Sequence, residues 1–160
     1  MRRVFVTGGS GFVGRNLLEA LYRRRVPAVA LARSDTAAAA CAGRGAQVVR
    51  GDLGDRKSLE AGMIGCDVVI HAAAHVQEWD RPEVFEAINV AGTANVLAAA
   101  KQAKVLRFVH VGTEAALCGG GPIVQADETR ALPKHPLPGY PASKAAAERL
   151  VRAASDLHTV

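Results

Sequence analysis

At 160 residues, 49% of them hydrophobic, the chain has the size of one domain able to bury about 70% of the surface its unfolded form exposes. Its formal charge of +5 would suit a nucleic-acid partner, yet aromatics make up only 4% and the arginines are scattered apart from Arg23-Arg24-Arg25, so no nucleic-acid partner is expected. Three widely spaced cysteines (Cys41, Cys66, Cys118) with no Cys-x-x-Cys pair argue against a disulfide framework and a zinc site, and neither a membrane-length apolar run nor a signal-peptide pattern is present, so a cytoplasmic protein with no membrane partner is expected.

Val4, Phe5 and Val6 form the short apolar run of a buried parallel strand. Thr7-Gly8-Gly9-Ser10-Gly11-Phe12-Val13-Gly14 follows at once, and after it Arg15 to Tyr22 reads as a helix with Val13, Leu17 and Leu21 on one face. Strand, glycine turn and helix together point unpaired backbone N–H groups and the helix dipole at a pyrophosphate. Gly8 permits the tight turn, Gly11 the close approach of phosphate to backbone, and Gly14 the packing of helix on strand; Phe12 and Val13 are counted with them as cofactor-binding positions. A P-loop would need Gly-Lys-Ser/Thr, and Gly14 is followed by Arg15. Arg23 to Arg25 fall where the helix should end, a favourable place for cations.

Strand and helix signals then alternate, which predicts a parallel sheet covered on both faces. Val26 to Arg33 is the expected second strand, Ala37 to Ala40 a small crossover helix, Ala46 to Arg50 the third strand and Asp67 to His71 the fourth. A helical stretch from about Pro82 to Lys104 leads to a fifth strand, Leu106 to Val111. Cys118 to Gly139, rich in glycine and proline, is a long irregular segment of the kind that usually serves function, and a last helix runs from Tyr140 to about Ala154. His71 and His75 stand four apart with no carboxylate or cysteine partner in view, and no metal role is expected.

The order Thr-Gly-x-x-Gly-x-x-Gly, Gly51-Asp52-Leu53, His71-Ala72-Ala73-Ala74, Asn89-Val90-x-Gly92-Thr93-x-Asn95, Val111-Gly112-Thr113 and Tyr140-x-x-x-Lys144 resembles the N-terminal part of the extended short-chain dehydrogenase/reductase superfamily, in its NAD(P)-dependent epimerase/dehydratase and 3β-hydroxysteroid dehydrogenase-like branch. The resemblance implies a Rossmann-like α/β fold, a doubly wound parallel sheet with helices on both faces. It implies that Tyr140 exchanges a proton with the substrate oxygen while hydride moves to or from a nicotinamide, and that Lys144 supports the tyrosine and holds the nicotinamide ribose. Thr113 takes the family's Ser/Thr position, with Gly112 where Ser is more usual and Glu114 less expected beside it; Asn89 matches the family's helix asparagine. Asp52 and Leu53 would border the adenine, and Ala72 and Ala73 join the cofactor-binding set. Residues four apart share a helix face, and an ammonium near a phenol eases its ionisation.

Cofactor choice is read at the end of the second strand, where a carboxylate would bind the ribose hydroxyls of NAD. Leu31-Ala32-Arg33-Ser34 offers none, and Arg33 with Ser34 can bind a 2′-phosphate, so NADP is favoured over NAD, with Asp35 close by. Leu157 to Val160 read as the opening of a sixth strand, at which the family's pattern is cut short before a substrate-binding lobe. The unfinished sheet edge is an expected place for pairing with a second chain, a homodimer included. Two functions stay open: an oxidoreductase acting on a hydroxyl or ketone carbon of a small molecule, and a nucleotide-binding module without turnover. A sugar-nucleotide epimerase/dehydratase is a further alternative.

Overall fold

The computed structural model describes residues 2–77 and 79–155. Five strands, β1 (Val4–Thr7), β2 (Ala28–Ala32), β3 (Gln47–Arg50), β4 (Val68–His71) and β5 (Arg107–His110), pair in parallel in the order β3-β2-β1-β4-β5. Between them run α1 (Phe12–Arg23), α2 (Asp35–Ala42), α3 (Arg56–Met63) and α4 (Pro82–Phe85), which continues through a π-helical turn (Glu86–Ala91) into α5 (Gly92–Gln102). A 3₁₀ turn (Glu114–Leu117) and α6 (Tyr140–Ala154) follow β5. This is the Rossmann-like, doubly wound sheet the motifs imply. The sixth strand expected at Leu157 to Val160 lies outside the described residues.

Alternation along the strands fills two cores. Phe5, Val29, Leu31 and Val69 point to one face, where Leu59 and Met63 of α3 and Val96 and Ala99 of α5 cover them. Val4, Val6 and Ala30 point to the other, under Leu18 of α1 and Cys41 of α2. Each fully buried large apolar side chain contributes about 2 kcal/mol by leaving water. Cys41 and Cys66 are buried free thiols, pushed up from the usual thiol range by that burial.

Three elements differ from expectation. The second strand is shorter at both ends; at its start, Val26 N–H closes the end of α1 on Leu21 O rather than joining the sheet. The crossover helix α2 extends past the alanine run in both directions, capped by Ser34 Oγ accepting from Ala37 N–H at 3.2 Å. Helix α3 has no strong periodic signal: two turns long, it is started by Asp55, whose side chain accepts from Lys57 and Ser58 N–H, and anchored mainly by Leu59 and Met63.

Register sets Thr7 beside His71 and His71 beside His110, so β1, β4 and β5 end level at one edge. The chain order reverses between β1 and β4, and a ligand crevice is expected at the carboxyl ends there.

Candidate active site

At the carboxyl end of β1, Gly8 turns the chain with φ +71°. A Cβ there would fall 2.6 Å from Ala73 N, so the turn lies against the backbone that follows β4. A Cβ on Gly14 would stand 2.1 Å from Gly8 O: this glycine lets α1 pack on the turn itself, where the sequence suggested helix on strand. The first residues of α1 have no side-chain cap, which leaves their N–H groups for a ligand.

These groups face an open cleft of about 690 Å³, lined among others by Gly8, Ser10, Gly11, Arg15, Ala72 and Ala73. A cradle of bare backbone at a helix N-terminus, of this size, suits a dinucleotide pyrophosphate. Phe12 and Val13 contribute no side chain to it: Phe12 is 82% exposed and Val13 half-exposed, also off the core face with Leu17 and Leu21. Only their backbone, in the first turn of α1, is placed for the site.

Further along, the cleft is lined by Arg33, Ser34, Asp52 and Leu53. Asp52 Oδ1 accepts from Gly54 N–H at 3.0 Å, which shapes the loop after β3. Leu53 is buried, its carbonyl held by Asn95 Nδ2 at 2.9 Å and its side chain against Gly92. Asp35 stands outside the lining and pairs with Arg50 at 2.8 Å.

A chain of hydrogen bonds crosses the reversal point. Thr93 Oγ1 can only donate to the carbonyl of Asn89 (2.6 Å), so it accepts from His71 Nε2–H (3.0 Å). His71 Nδ1 is then bare and accepts from the Thr7 hydroxyl (2.6 Å), whose oxygen accepts Ala73 N–H (3.2 Å). His71 is thus a neutral imidazole with both nitrogens engaged. Burial first, then His110 and Lys144, depress its pKa to about 3. His75 does have a carboxylate partner, contrary to expectation: its Nε2 lies 2.8 Å from Asp80 Oδ2.

The Asn89 side chain continues the network. Its Oδ1 accepts His75 N–H (2.7 Å), and its Nδ2 donates to His75 O (3.0 Å) and Ser143 Oγ (2.9 Å). Ser143 in turn donates to Tyr140 O at 2.8 Å. The buried Asn89 therefore joins the loop that lines the cleft to the first turn of α6.

Tyr140 and Lys144 stand on that turn and the next. Lys144 is 3% exposed, donating from Nζ to Val111 O at 2.9 Å and lying 3.4 Å from His110 Nε2. Burial pulls its pKa below the ordinary lysine value, against the pull of Glu148. Thr113 starts the 3₁₀ turn that packs on α6; its Oγ1 accepts Ala115 N–H (3.3 Å) and donates to Glu114 Oε2 (3.2 Å). It is thus the N-cap of the 3₁₀ turn, and that turn packs on the tyrosine's helix.

Among the described residues, no group of three or more metal-ligating side chains is assembled and no helix is long and apolar enough to cross a membrane. The sequence reading missed Thr7, Thr93 and Ser143 as positioning groups. All three sit inside motifs already visible, but the long-range partners that give them this role, His71 for Thr7 and Thr93 and Asn89 for Ser143, lie 64, 22 and 54 residues away along the chain.

Fold, glycine turn and the spacing of Tyr140 and Lys144 on α6 together match the pattern of the extended short-chain dehydrogenase/reductase superfamily. Residues 4–160 match the NAD dependent epimerase/dehydratase family, and the chain belongs to that family, whose members are enzymes. It is 52% identical over 149 residues to a 4-hydroxy-2-methyl-3-oxo-4-farnesyl-3,4-dihydroquinoline-1-oxide ketoreductase of Stigmatella aurantiaca, covering 93% of this chain and 45% of that protein. It is 34% identical to a 3 beta-hydroxysteroid dehydrogenase/Delta 5→4-isomerase of Mycobacterium tuberculosis, covering 94% and 42%. Among solved structures, a short-chain dehydrogenase/reductase superfamily protein from Agrobacterium tumefaciens with bound NAD superposes with TM-score 0.83 at 29% identity, over 99% of this chain and 48% of that one. The Thermus thermophilus UDP-glucose 4-epimerase complex with NAD gives 0.80 at 31%, over 94% and 50%. The chain spans less than half the length of the curated relatives it matches.

Proposed function

We propose that residues 1–160 are the cofactor-binding and acid/base portion of an NAD(P)-dependent oxidoreductase that interconverts a hydroxyl and a ketone, with substrate selection supplied by a further lobe. The observation that carries this reading is the Asn89 bridge, which ties the cleft-lining loop at His75 to the helix turn bearing Tyr140. The nicotinamide, when bound, supplies or takes the hydride. Tyr140 gives its phenolic proton to the carbonyl oxygen in reduction and recovers it in oxidation. The Lys144 ammonium lowers the cost of the phenolate. Thr113 holds the substrate oxygen by exchanging its bond to Glu114 for one to the ligand.

Ketone reduction or alcohol oxidation is favoured over dehydration, because elimination needs an acid and a base beyond the tyrosine. Thr113-Glu114-Ala115 supplies a single carboxylate, and it is engaged by Thr113. Relatives named as a ketoreductase and as a hydroxysteroid dehydrogenase support the same choice. NADP is favoured over NAD by the chain's own residues: Arg33 and Ser34 stand on the cleft lip while Asp35 is turned to Arg50. The solved relatives cited carry NAD, so this preference rests on Arg33. The reading as a binding module without turnover is favoured only by the chain's short span relative to those relatives.

The test is turnover of a ketone with NADPH by the protein completed to its relatives' length. Tyr140→Phe should lower kcat by about 10²–10⁴-fold with the NADPH Kd little changed. Lys144→Ala should harm both. Equal turnover in Tyr140→Phe would overturn the proton-transfer assignment.

A further inference from the structure

The side chain in hydrogen-bond contact with the Lys144 amine is one that the family pattern gives no role. His110 ends β5, across the ladder from His71, with the two ring centroids 5.5 Å apart. Its Nε2 lies 3.4 Å from Lys144 Nζ, and Val111 O, one residue on, lies 2.9 Å from the same nitrogen. An ammonium has three N–H donors and no lone pair. One is taken by Val111 O, so the contact with Nε2 requires the imidazole to be the acceptor and to carry its proton on Nδ1. That Nδ1 is buried with no hydrogen-bond partner among the described residues. Leaving a polar atom unpaired in the interior is costly, and the ring is held there by what its other nitrogen does.

We propose that His110 is a positioning residue for Lys144: with Val111 O it fixes two of the three ammonium N–H groups and leaves the third for the groups brought into the cleft. The function of Lys144 itself rests on the reading given above; the His110–Lys144 pairing does not. The titratable groups acting on the amine are His110 from β5, with His71 from β4 behind it, and Glu148 from α6 itself. Neither imidazole competes for the proton. Burial and the neighbouring Lys144 charge depress His110 to about 4, and His71 is spoken for on both sides. The charge therefore stays on the lysine, and the His110 lone pair offsets part of the desolvation that draws the lysine's pKa down. Phenylalanine would fill the space without the lone pair; glutamine would restore an acceptor.

The experiment is NMR on the 160-residue chain and its variants without cofactor. In the wild type, imidazole ¹⁵N spectra at neutral pH should show His110 protonated on Nδ1 and bare on Nε2; a proton on Nε2 would overturn the proposal. Titration of the lysine ε-carbon should show the Lys144 pKa lowered by about one pH unit in His110→Phe, the worth of a hydrogen bond to a charged group, and returned close to wild type in His110→Gln. An unchanged Lys144 titration in a folded His110→Phe chain would also overturn it. Should that variant not fold, Lys144→Met decides: His110 should then titrate above its value of about 4, and no rise would count against the pairing. In the completed enzyme, His110→Phe should lower kcat more than it raises KM, with the pH profile displaced. Failure of the catalytic reading would show differently, as unaltered turnover in Lys144→Ala with both titrations as described.

Discussion

At the start of α1 the cleft is shaped by side chains that are missing: Gly8, Gly11 and Gly14 leave bare backbone, and the N–H groups there carry no titratable function. At the start of α6 the site is made of side chains from five different elements: Thr7, His71, Asn89, Thr93 and Ser143, with Lys144 and His110 behind them. The first construction depends on space and is indifferent to pH. The second depends on proton placement, since the hydroxyls and the His71 ring nitrogens have one arrangement that satisfies all their neighbours. The region proposed to bind the cofactor and the region proposed to move protons thus rest on different physics within a single sheet edge.

The contrast can be broken most severely at Asn89. Asn89→Leu keeps the volume but removes the partner of the part-buried His75 N–H and C=O and the N–H donor to Ser143, whose hydroxyl keeps its bond to Tyr140 O. Stability to urea should fall by about 3–5 kcal/mol. A loss below about 1 kcal/mol would mean that the bridge does not hold the two halves of the site together.

Arg33→Ala should act on the binding region alone. A charge-assisted contact to a 2′-phosphate is worth about 1.5–3 kcal/mol, so NADPH affinity should drop roughly tenfold or more while NADH affinity and folding stability are unaltered. Equal affinities for the two cofactors in the wild type would refute the preference.

Acid should act on the other region. His71 and His110 are neutral and depressed to about 3 and about 4 in the folded chain, whereas the unfolded chain binds protons from about pH 6.5 downward. Their contribution is fully present above pH 6.5 and is lost as the pH falls toward 4 and then 3, at up to about 1.4 kcal/mol per pH unit for each ring. Urea midpoints measured from pH 7 to 4 should fall accordingly, and the slope should flatten in His110→Gln. A pH-independent midpoint across that range would contradict the assigned neutral states.

The binding region was readable from the chain because its signal is local: a strand, three glycines and a helix within a dozen residues. Tyr140 and Lys144 were readable for the same reason, being one helical turn apart. What stayed hidden depends on distant pairing. His110 and Lys144 are 34 residues apart, and no spacing rule connects them. Helix α3 was hidden by brevity, two turns being too few for a period to show. The π turn at Glu86–Ala91 was hidden because the apolar pattern over Pro82 to Lys104 runs through it unbroken. At Phe12 and Val13 the motif names positions whose backbone, in the first turn of α1, is placed for the cleft while their side chains are exposed away from it.

The claim most open to direct measurement is that the pyrophosphate occupies the space left by the missing side chain at Gly11, whose own N–H is held by Gly8 O. Gly11 has an ordinary extended backbone at φ −76° and opens on the cleft, with only Gly8 O within 3.3 Å of a Cβ built there. Gly11→Val should therefore fold and yet fill the cradle. Titration with NADPH, followed by the fluorescence of the reduced nicotinamide, should show saturable binding to the wild type and to Tyr140→Phe, and a loss of at least tenfold in Gly11→Val. Unaltered binding by a folded Gly11→Val chain would contradict the account at its centre.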